Sequence, residues 1–203
     1  MQRLPFTLSE HLPAAVKAVR AAVAAHGVIA LPTETFYGLA VDPRDVTAVA
    51  RVLALKQRPA EKALPVVGAS AEQFAGLVRI PPLWRKRLEE IWPAPLTVVL
   101  ERTGGPSPFG SLAVRVPGHA LLRRLLADVG PLTATSANRS GGKALATADA
   151  VIAVFSGGIA VLLDGGATQG GLPSTIIDVT VAPARLVRRG AFEIPGEWGV
   201  MAG

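Results

Sequence analysis

The sequence predicts an α/β protein in which helices flank a twisted sheet of mixed parallel and antiparallel strands. Short apolar runs alternate with amphipathic helical segments along the chain. Two of these runs, 96–101 and 112–116, follow each other without a helix, which argues against a regular doubly wound sheet. No repeat, low-complexity tract or linker-like break interrupts the 203 residues, so we expect a single domain over residues 1–203.

The chain begins with a helix, a strand and a second helix. The first helix, 13–25, has a proline in its first turn and a glycine just past its end. The apolar run 28–31 lies between glycine and proline and fits a buried strand. Asp45 can cap the second helix, which runs to about Lys56. Its helical spacing predicts a buried face formed by Val46, Val49 and Leu53.

The same mixture of helices and strands continues to the end of the chain. Further helices are predicted after the cap Ser70, over 81–91, over 120–127 and, after the cap Thr147, over 148–155. Further strands are predicted over 64–67, 96–101, 112–116, 160–163, 175–179 and 185–187, with one more beginning at Leu132.

Composition excludes several kinds of site. The chain has no cysteine, so disulfides, thiolate metal sites and cysteine nucleophiles are excluded. Its three histidines are far apart and lack metal-ligand spacing, so we expect no metal held by the protein itself. No uncharged apolar run approaches the roughly 18 residues of a membrane span, and we expect a cytoplasmic protein with no membrane partner. The net charge of +6 favours anionic partners, either nucleic acid or phosphorylated small molecules.

Polar side chains follow apolar runs at five places. In the stretch 27–39, GVIALPTETFYGL, a buried strand delivers Thr33, Glu34, Thr35 and Tyr37 to its carboxyl end, where α/β sheets place ligand sites. The other four clusters are Lys56-Gln57-Arg58-Pro59, Arg115 within LAVRV, Ser136-Ala137-Asn138, and Ser174-Thr175 with Arg188-Arg189-Gly190.

Each cluster also has a purely structural interpretation. The first could cap a helix that starts there. Lys56 and Arg58 could form a solvated helix end, where cations stabilise the helix dipole. Arg115 could lie on the polar face of a half-exposed strand. Ser136 and Asn138 could form an ordinary turn.

Together the clusters resemble the YrdC-like family, the threonylcarbamoyl-adenylate synthases that start the t6A modification of tRNA. The matching motifs keep one order over nearly the whole chain: PTETFYG (32–38), KQRP (56–59), WPAPLT (92–97), LAVRVP (112–117), TSANRSGG (135–142), STIID (174–178) and VRRG (187–190). Gln57 and Ala94 stand where many members have glycine, and the segment after Arg58 lacks a histidine that some members carry. The chain resembles the short, single-domain form of the family.

The resemblance implies a YrdC-like fold and a nucleotidyltransferase reaction in which L-threonine, bicarbonate and ATP give threonylcarbamoyl-AMP and pyrophosphate. It implies that Lys56 and Arg58 are catalytic and bind the nucleotide. The implied threonine-binding residues are Thr33, Tyr37, Arg115 and Ser174, and the remaining nucleotide-binding residues are Ser136, Asn138 and Arg188. Mg²⁺ would arrive with ATP, and tRNA and the t6A transferase machinery would be partners. We also expect the glycine-rich segment 165–171 to become ordered when ligands bind.

Two other functions remain open from the sequence. A basic α/β domain could bind double-stranded RNA or tRNA without catalysis. Related domains also occur inside larger hydrogenase-maturation carbamoyltransferases, so a carbamoyl-transfer role is the second alternative.

Overall fold

The computed structural model describes residues 1–57, 64–103, 110–155 and 157–203, so the predicted site residue Arg58 lies outside the described residues. The α-helices are α1 (Leu12–Ala24), α2 (Val46–Lys56), α3 (Pro82–Ile91), α4 (Ala120–Val129) and α5 (Ala148–Val154). The strands are β1 (Gln2–Pro5), β2 (Val28–Pro32), β3 (Tyr37–Ala40), β4 (Val66–Val67), β5 (Val78–Arg79), β6 (Leu96–Arg102), β7 (Ser111–Arg115), β8 (Leu132–Thr133), β9 (Thr135–Ser136), β10 (Ile159–Asp164), β11 (Thr175–Asp178), β12 (Arg185–Arg188) and β13 (Met201–Ala202).

These strands form two sheets. The first has the order β1-β10-β2-β3-β9, and the second has the order β13-β12-β11-β6-β7-β4-β8, with β5 beside β6. Both sheets contain parallel pairs, such as β10 with β2 and β11 with β6, and antiparallel pairs, such as β2 with β3 and β6 with β7. The predicted α/β fold with mixed pairing is therefore confirmed, although the strands divide between two sheets rather than forming one.

Strand β2 is buried on both faces of the first sheet, which requires a continuous apolar run at 28–31. All its residues are buried, and successive side chains point to opposite faces of the sheet. Ile29 and Leu31 join a hydrophobic cluster with residues of α1 and α4, whereas Val28 and Ala30 join a second cluster with residues of α2 and α5. The first sheet is thus covered by helices on both faces, as expected for its parallel centre.

The predicted caps of α2 and α5 are both confirmed. The Asp45 carboxylate accepts hydrogen bonds from the backbone N–H groups of Thr47 and Ala48. The Thr147 hydroxyl accepts one from Ala150 N at 3.2 Å. Each side chain satisfies donors that have no partner within the first turn of its helix.

The predicted buried face of α2 is right only in part: Val49 and Leu53 pack against the core, although both are only partly buried. Val46 is 58% exposed, and the buried residues are Ala48, Val52 and Lys56 instead. Apolar residues lie around most of this helix, so their spacing alone did not single out the face that meets the sheet. As a result, the side chain of Lys56 points into the protein.

Two other sequence assignments need correction. The polar residues after β2 form the turn of an antiparallel hairpin, in which Pro32 pairs with Tyr37, so they do not cap a helix. The helix expected after Ser70 is only the 3₁₀ segment Ala71–Phe74, and it is followed by the short strand β5. Non-local pairing decides both cases.

The strand predicted from Leu132 is two short strands that belong to different sheets. Strand β8 pairs with β4 in the second sheet, and β9 pairs with β3 in the first, with Ala134 between them. This segment joins the two sheets and places Ser136 beside the Thr33–Tyr37 hairpin. None of the helices in the described part of the chain is long and apolar enough to cross a membrane.

Gln57, which stands where the resemblance implies glycine, has an unusual backbone conformation. Gln57 ends α2 with φ 52° and ψ 42°, in the left-handed region. Glycine adopts this region without steric cost, whereas a residue with a Cβ is strained there. The backbone conformation therefore suits the glycine that the resemblance leads one to expect at this position.

Candidate active site

A cavity of about 600 Å³ opens between the two sheets. Residues of β3 and β9 line it from the first sheet, and residues of β4, β6, β7, β11 and β12 line it from the second. It brings together the predicted site residues Thr33, Tyr37, Arg115, Ser136, Asn138, Ser174 and Arg188. Lys56 lies against the turn at one wall, and Arg58 lies outside the described residues.

Arg115, the last residue of β7, is a buried cation at the cavity wall. It is only 8% exposed, so its interpretation as the polar face of a half-exposed strand is wrong. Its guanidinium lies 3.6 Å from the Glu34 carboxylate and makes no hydrogen bond to another residue in the described part of the chain. Burial lowers the pKa of Arg115 from its ordinary value, and the Glu34 charge opposes that shift. Arg115 therefore offers unpaired N–H donors to an anion in the cavity.

Lys56 is buried as well, with 2% exposure, so it is not a solvated helix end. Its ammonium donates to the carbonyl oxygens of Ser136 and Asn138, with 2.7 Å to the latter. The backbone N–H of Ser140 donates to the Lys56 carbonyl at 2.8 Å. The end of α2 and the 136–140 turn are thus joined from both sides.

The Ser136–Gly142 turn is held by its own polar side chains. The Ser136 hydroxyl donates to the side-chain oxygen of Asn138, whose amide donates to the carbonyls of Arg139 and Gly142. This is a turn, as the alternative interpretation held, but it also forms a cavity wall through Ser136, Asn138 and Gly142. The two interpretations are compatible, because the side chains shape the backbone that faces the cavity.

Arg188, the last residue of β12 in the second sheet, is a second cation at the cavity wall. It donates to the carbonyl and hydroxyl oxygens of Ser174, at 2.8 and 3.2 Å from its Nη2. Burial lowers the pKa of Arg188, and the positive charge of Arg115 lowers it further. The pair of cations makes this part of the cavity favourable for an anionic ligand.

The hydroxyls of Thr33 and Tyr37 form hydrogen bonds within the cavity wall. The Thr33 hydroxyl donates to Phe36 O at 2.7 Å and accepts from backbone N–H groups of the same turn. The fully buried Tyr37 hydroxyl donates to Gly166 O at 2.8 Å and accepts from Gly165 N at 3.0 Å. Burial raises the pKa of Tyr37 to about 12, so it remains a neutral donor at physiological pH.

The glycine-rich segment 165–171 is tied to this wall at further points. Thr168 N donates to Ala146 O, and Gly170 N donates to Thr35 O, both at 2.8 Å. A lid movement would have to break these bonds. The ordering of this segment by ligands stays a prediction.

Removal of the Tyr37 hydroxyl tests how the segment is anchored. We expect Tyr37→Phe to increase amide hydrogen exchange at Gly165 and Gly166 and to lower the free energy of unfolding by about 1–3 kcal/mol, because buried backbone groups lose their partner. Exchange measured by mass spectrometry and urea denaturation give the two values. Thr180→Val, which removes a hydroxyl from an exposed turn, is the control. Parent-like exchange over 165–171 would show that the hydroxyl does not anchor the segment.

The sequence did not single out Thr97, and it placed Glu34 in the first polar cluster without a partner. Thr97, at the start of β6, is buried in the cavity wall, and its hydroxyl lies 2.9 Å from that of Ser174. Glu34 is the carboxylate beside Arg115. The signal for Thr97 was a polar residue that opens the otherwise apolar run LTVVL. No pattern in the sequence pairs Glu34 with Arg115, because the two residues belong to different sheets.

Comparisons with known proteins agree with this fold. The model of the Sua5/YciO/YrdC family, described as "Telomere recombination", matches residues 21–190. A Vibrio cholerae protein named threonylcarbamoyl-AMP synthase is 40% identical over 180 residues, which is 84% of this chain and 94% of that protein. A Pyrococcus abyssi protein of the same name is 37% identical over 177 residues, 82% of this chain and 51% of its own length.

A solved structure extends the agreement to three dimensions. P. abyssi Sua5 complexed with L-threonine matches with a TM-score of 0.83 and 34% identity, over 93% of this chain and 57% of that chain. The chain therefore spans only a little over half of that archaeal protein. The match of the family model, together with these relatives, shows that the chain belongs to the Sua5/YciO/YrdC family.

Proposed function

We propose that the chain is an L-threonylcarbamoyl-AMP synthase, which forms threonylcarbamoyl-AMP and pyrophosphate from L-threonine, bicarbonate and ATP. The observation that carries the proposal is one cavity that joins the guanidinium of Arg115 to the Ser136–Asn138 turn and to Arg188. Relatives that carry the synthase name, and a relative with bound L-threonine, support the same substrates.

The reaction needs no covalent enzyme intermediate. The threonine ammonium group loses one proton, and its nitrogen then attacks bicarbonate, which gives a carbamate as a water molecule leaves. A carbamate oxygen then attacks the α-phosphorus of ATP, and the bond to pyrophosphate breaks. Catalysis therefore depends on holding the reactants in line and on neutralising charge, and a chain without cysteine can do both.

Arg115 would hold the carboxylate of L-threonine. A planar guanidinium can donate two parallel N–H bonds to a carboxylate, and the N–H groups of Arg115, ion-paired with Glu34 at 3.6 Å, make no hydrogen bond in the described part of the chain. Ser174 would contact the same substrate, and Thr97 would fix the direction of its hydroxyl. Thr33 and Tyr37 would contribute by shaping the wall, because their hydroxyls already bind the protein.

The nucleotide would lie against the Ser136–Gly142 turn and Arg188. Lys56 would keep that turn in place and add positive charge behind it, and Arg58 is proposed as a second cation from the resemblance alone. Mg²⁺ would enter on the phosphate oxygens of ATP. The described residues contain no group of three histidine or carboxylate side chains that could hold a metal.

The unstable product would pass to tRNA through the t6A transferase machinery, and this use would place the enzyme in the cytoplasm. The proposal of tRNA as a partner rests on the family and on the net charge of +6, which favours polyanions.

The first test is a pyrophosphate-release assay with each substrate left out in turn. We expect release only when ATP, L-threonine and bicarbonate are all present, because the nucleophile forms from the last two. A domain that only binds RNA would release none, and a carbamoyl-transfer domain would use carbamoyl phosphate instead. Equal release without threonine would overturn the synthase proposal.

A further inference from the structure

Glu34 is a buried carboxylate to which the mechanism above gives no role. It lies in the hairpin turn between β2 and β3, and both of its carboxylate oxygens are buried without a hydrogen-bond partner in the described part of the chain. A buried ionised carboxylate is costly unless a nearby charge compensates it. Its nearest cation is Arg115, whose Nη1 lies 3.6 Å from Oε1.

The carboxylate lies behind Arg115 rather than in the cavity. Its chain neighbours Thr33 and Thr35 line the cavity, whereas Glu34 does not. Its side chain packs beside Gly118, where an added Cβ would meet Glu34 Cγ at 3.5 Å. Glu34 is therefore enclosed between the hairpin turn and the segment that leads from β7 to α4.

The separation of the two charges has a chemical consequence. At 3.6 Å the pair attracts without a proper hydrogen bond, so Glu34 supplies a counter-charge but does not occupy the guanidinium donors. A bidentate Arg–Glu pair would have used the two N–H groups that a substrate carboxylate needs. The arrangement stabilises a buried cation and leaves it available to a ligand.

We propose that Glu34 is a positioning residue that holds the Arg115 guanidinium in place, so that its N–H groups meet the carboxylate of the amino-acid substrate. This inference rests on the proposed function, in which Arg115 binds L-threonine. It adds a residue that acts on the substrate through Arg115 and never touches the substrate itself.

The test removes the negative charge of Glu34 and keeps the shape of its side chain. We expect Glu34→Gln to raise the dissociation constant and KM for L-threonine about tenfold, with kcat and ATP affinity changed less than about twofold, because only the threonine contact of Arg115 is disturbed. Glu34→Asp keeps the charge and should recover part of the loss. Glu101→Gln, which alters an exposed Arg–Glu pair, is the matched control.

His119 provides a readout that does not depend on activity. Burial lowers the pKa of His119, and the charge of Glu34 opposes that shift. Removal of this negative charge disfavours the protonated imidazole, so Glu34→Gln should lower the pKa of His119 further. A titration followed by NMR measures this shift, and it shows whether the carboxylate is ionised beside Arg115.

These measurements distinguish a positioning role of Glu34 from a purely structural role. Threonine affinity equal to or tighter than that of the parent in Glu34→Gln, or an unchanged pKa of His119, would overturn the inference. Equal losses of threonine affinity and ATP affinity, with a lowered melting temperature, would show a structural role only.

If the glutamine variant does not fold, Glu34→Asp provides the test. A parent-like dissociation constant for threonine in that variant would count against the inference, since the shorter side chain moves the charge. A parent protein that binds no threonine would instead refute the proposed function, while the His119 titration still reports on the pair.

Discussion

Replacement of Arg115 by lysine is expected to raise the dissociation constant for L-threonine about ten- to a hundredfold, which corresponds to about 1.5–3 kcal/mol. Lysine keeps the positive charge but loses the planar pair of donors that a carboxylate binds. ATP affinity should remain nearly unchanged, because the proposed nucleotide contacts come from the Ser136–Gly142 turn and from Arg188. The expected effect is large because Arg115 is buried and its N–H groups make no hydrogen bond within the described part of the chain, so they are available to the substrate carboxylate.

Calorimetric titration of each ligand into the Arg115→Lys protein measures both affinities. Arg79→Lys is a matched control, because Arg79 lies in an exposed ion pair of the second sheet. Parent-like threonine binding in Arg115→Lys would show that Arg115 does not hold the substrate carboxylate.

Replacement of Lys56 by methionine is expected to lower the free energy of unfolding by about 2–3 kcal/mol, because carbonyl oxygens of Ser136 and Asn138 lose a charged donor. The turn would then lose its fixed position. ATP affinity and turnover should fall with it, whereas threonine affinity should change little. Methionine is close to lysine in length and shape, so the experiment removes the ammonium without leaving a large cavity.

Urea denaturation and ATP titration of Lys56→Met measure these effects. Lys17→Met, on the exposed face of α1, controls for the loss of one positive charge. Parent-like stability together with parent-like ATP binding would refute the role of Lys56 in holding the turn. A loss of ATP binding at unchanged stability would place the ammonium on the nucleotide instead.

The sequence was most informative where one local rule decides the structure. The apolar run 28–31 between glycine and proline fits the buried strand that forms there, and Asp45 and Thr147 match the preference for N-caps. Long-range pairing decided the rest. The segment 33–40 turns back as a hairpin because β3 finds partners in β2 and in β9, which comes almost a hundred residues later.

In the candidate site, too, local sequence patterns were informative only where long-range contacts did not decide the structure. Motif order identified the residues that line the cavity, but it did not indicate which side chains are available to a ligand. Taken alone, the sequence around Lys56 favours a solvated helix end, yet α2 turns Lys56 inward to the 136–138 carbonyls. The resemblance implies that Tyr37 binds threonine, whereas its hydroxyl binds the backbone at 165–166. Roles of this kind depend on partners that are distant in the sequence.

Some expectations remain predictions. These are the single domain over residues 1–203, the roles of the site residues, the arrival of Mg²⁺ with the nucleotide, the tRNA partner and the cytoplasmic location.

Product analysis with ¹³C-labelled bicarbonate tests the central claim most directly. The protein is incubated with ATP, L-threonine and the labelled bicarbonate, and the nucleotides are identified by mass spectrometry. We expect an adenylate that contains threonine and one labelled carbon, formed in equal amount to pyrophosphate. ATP turnover without such an adenylate, or an adenylate that contains threonine but no label, would contradict the claim that this cavity joins threonine, bicarbonate and ATP.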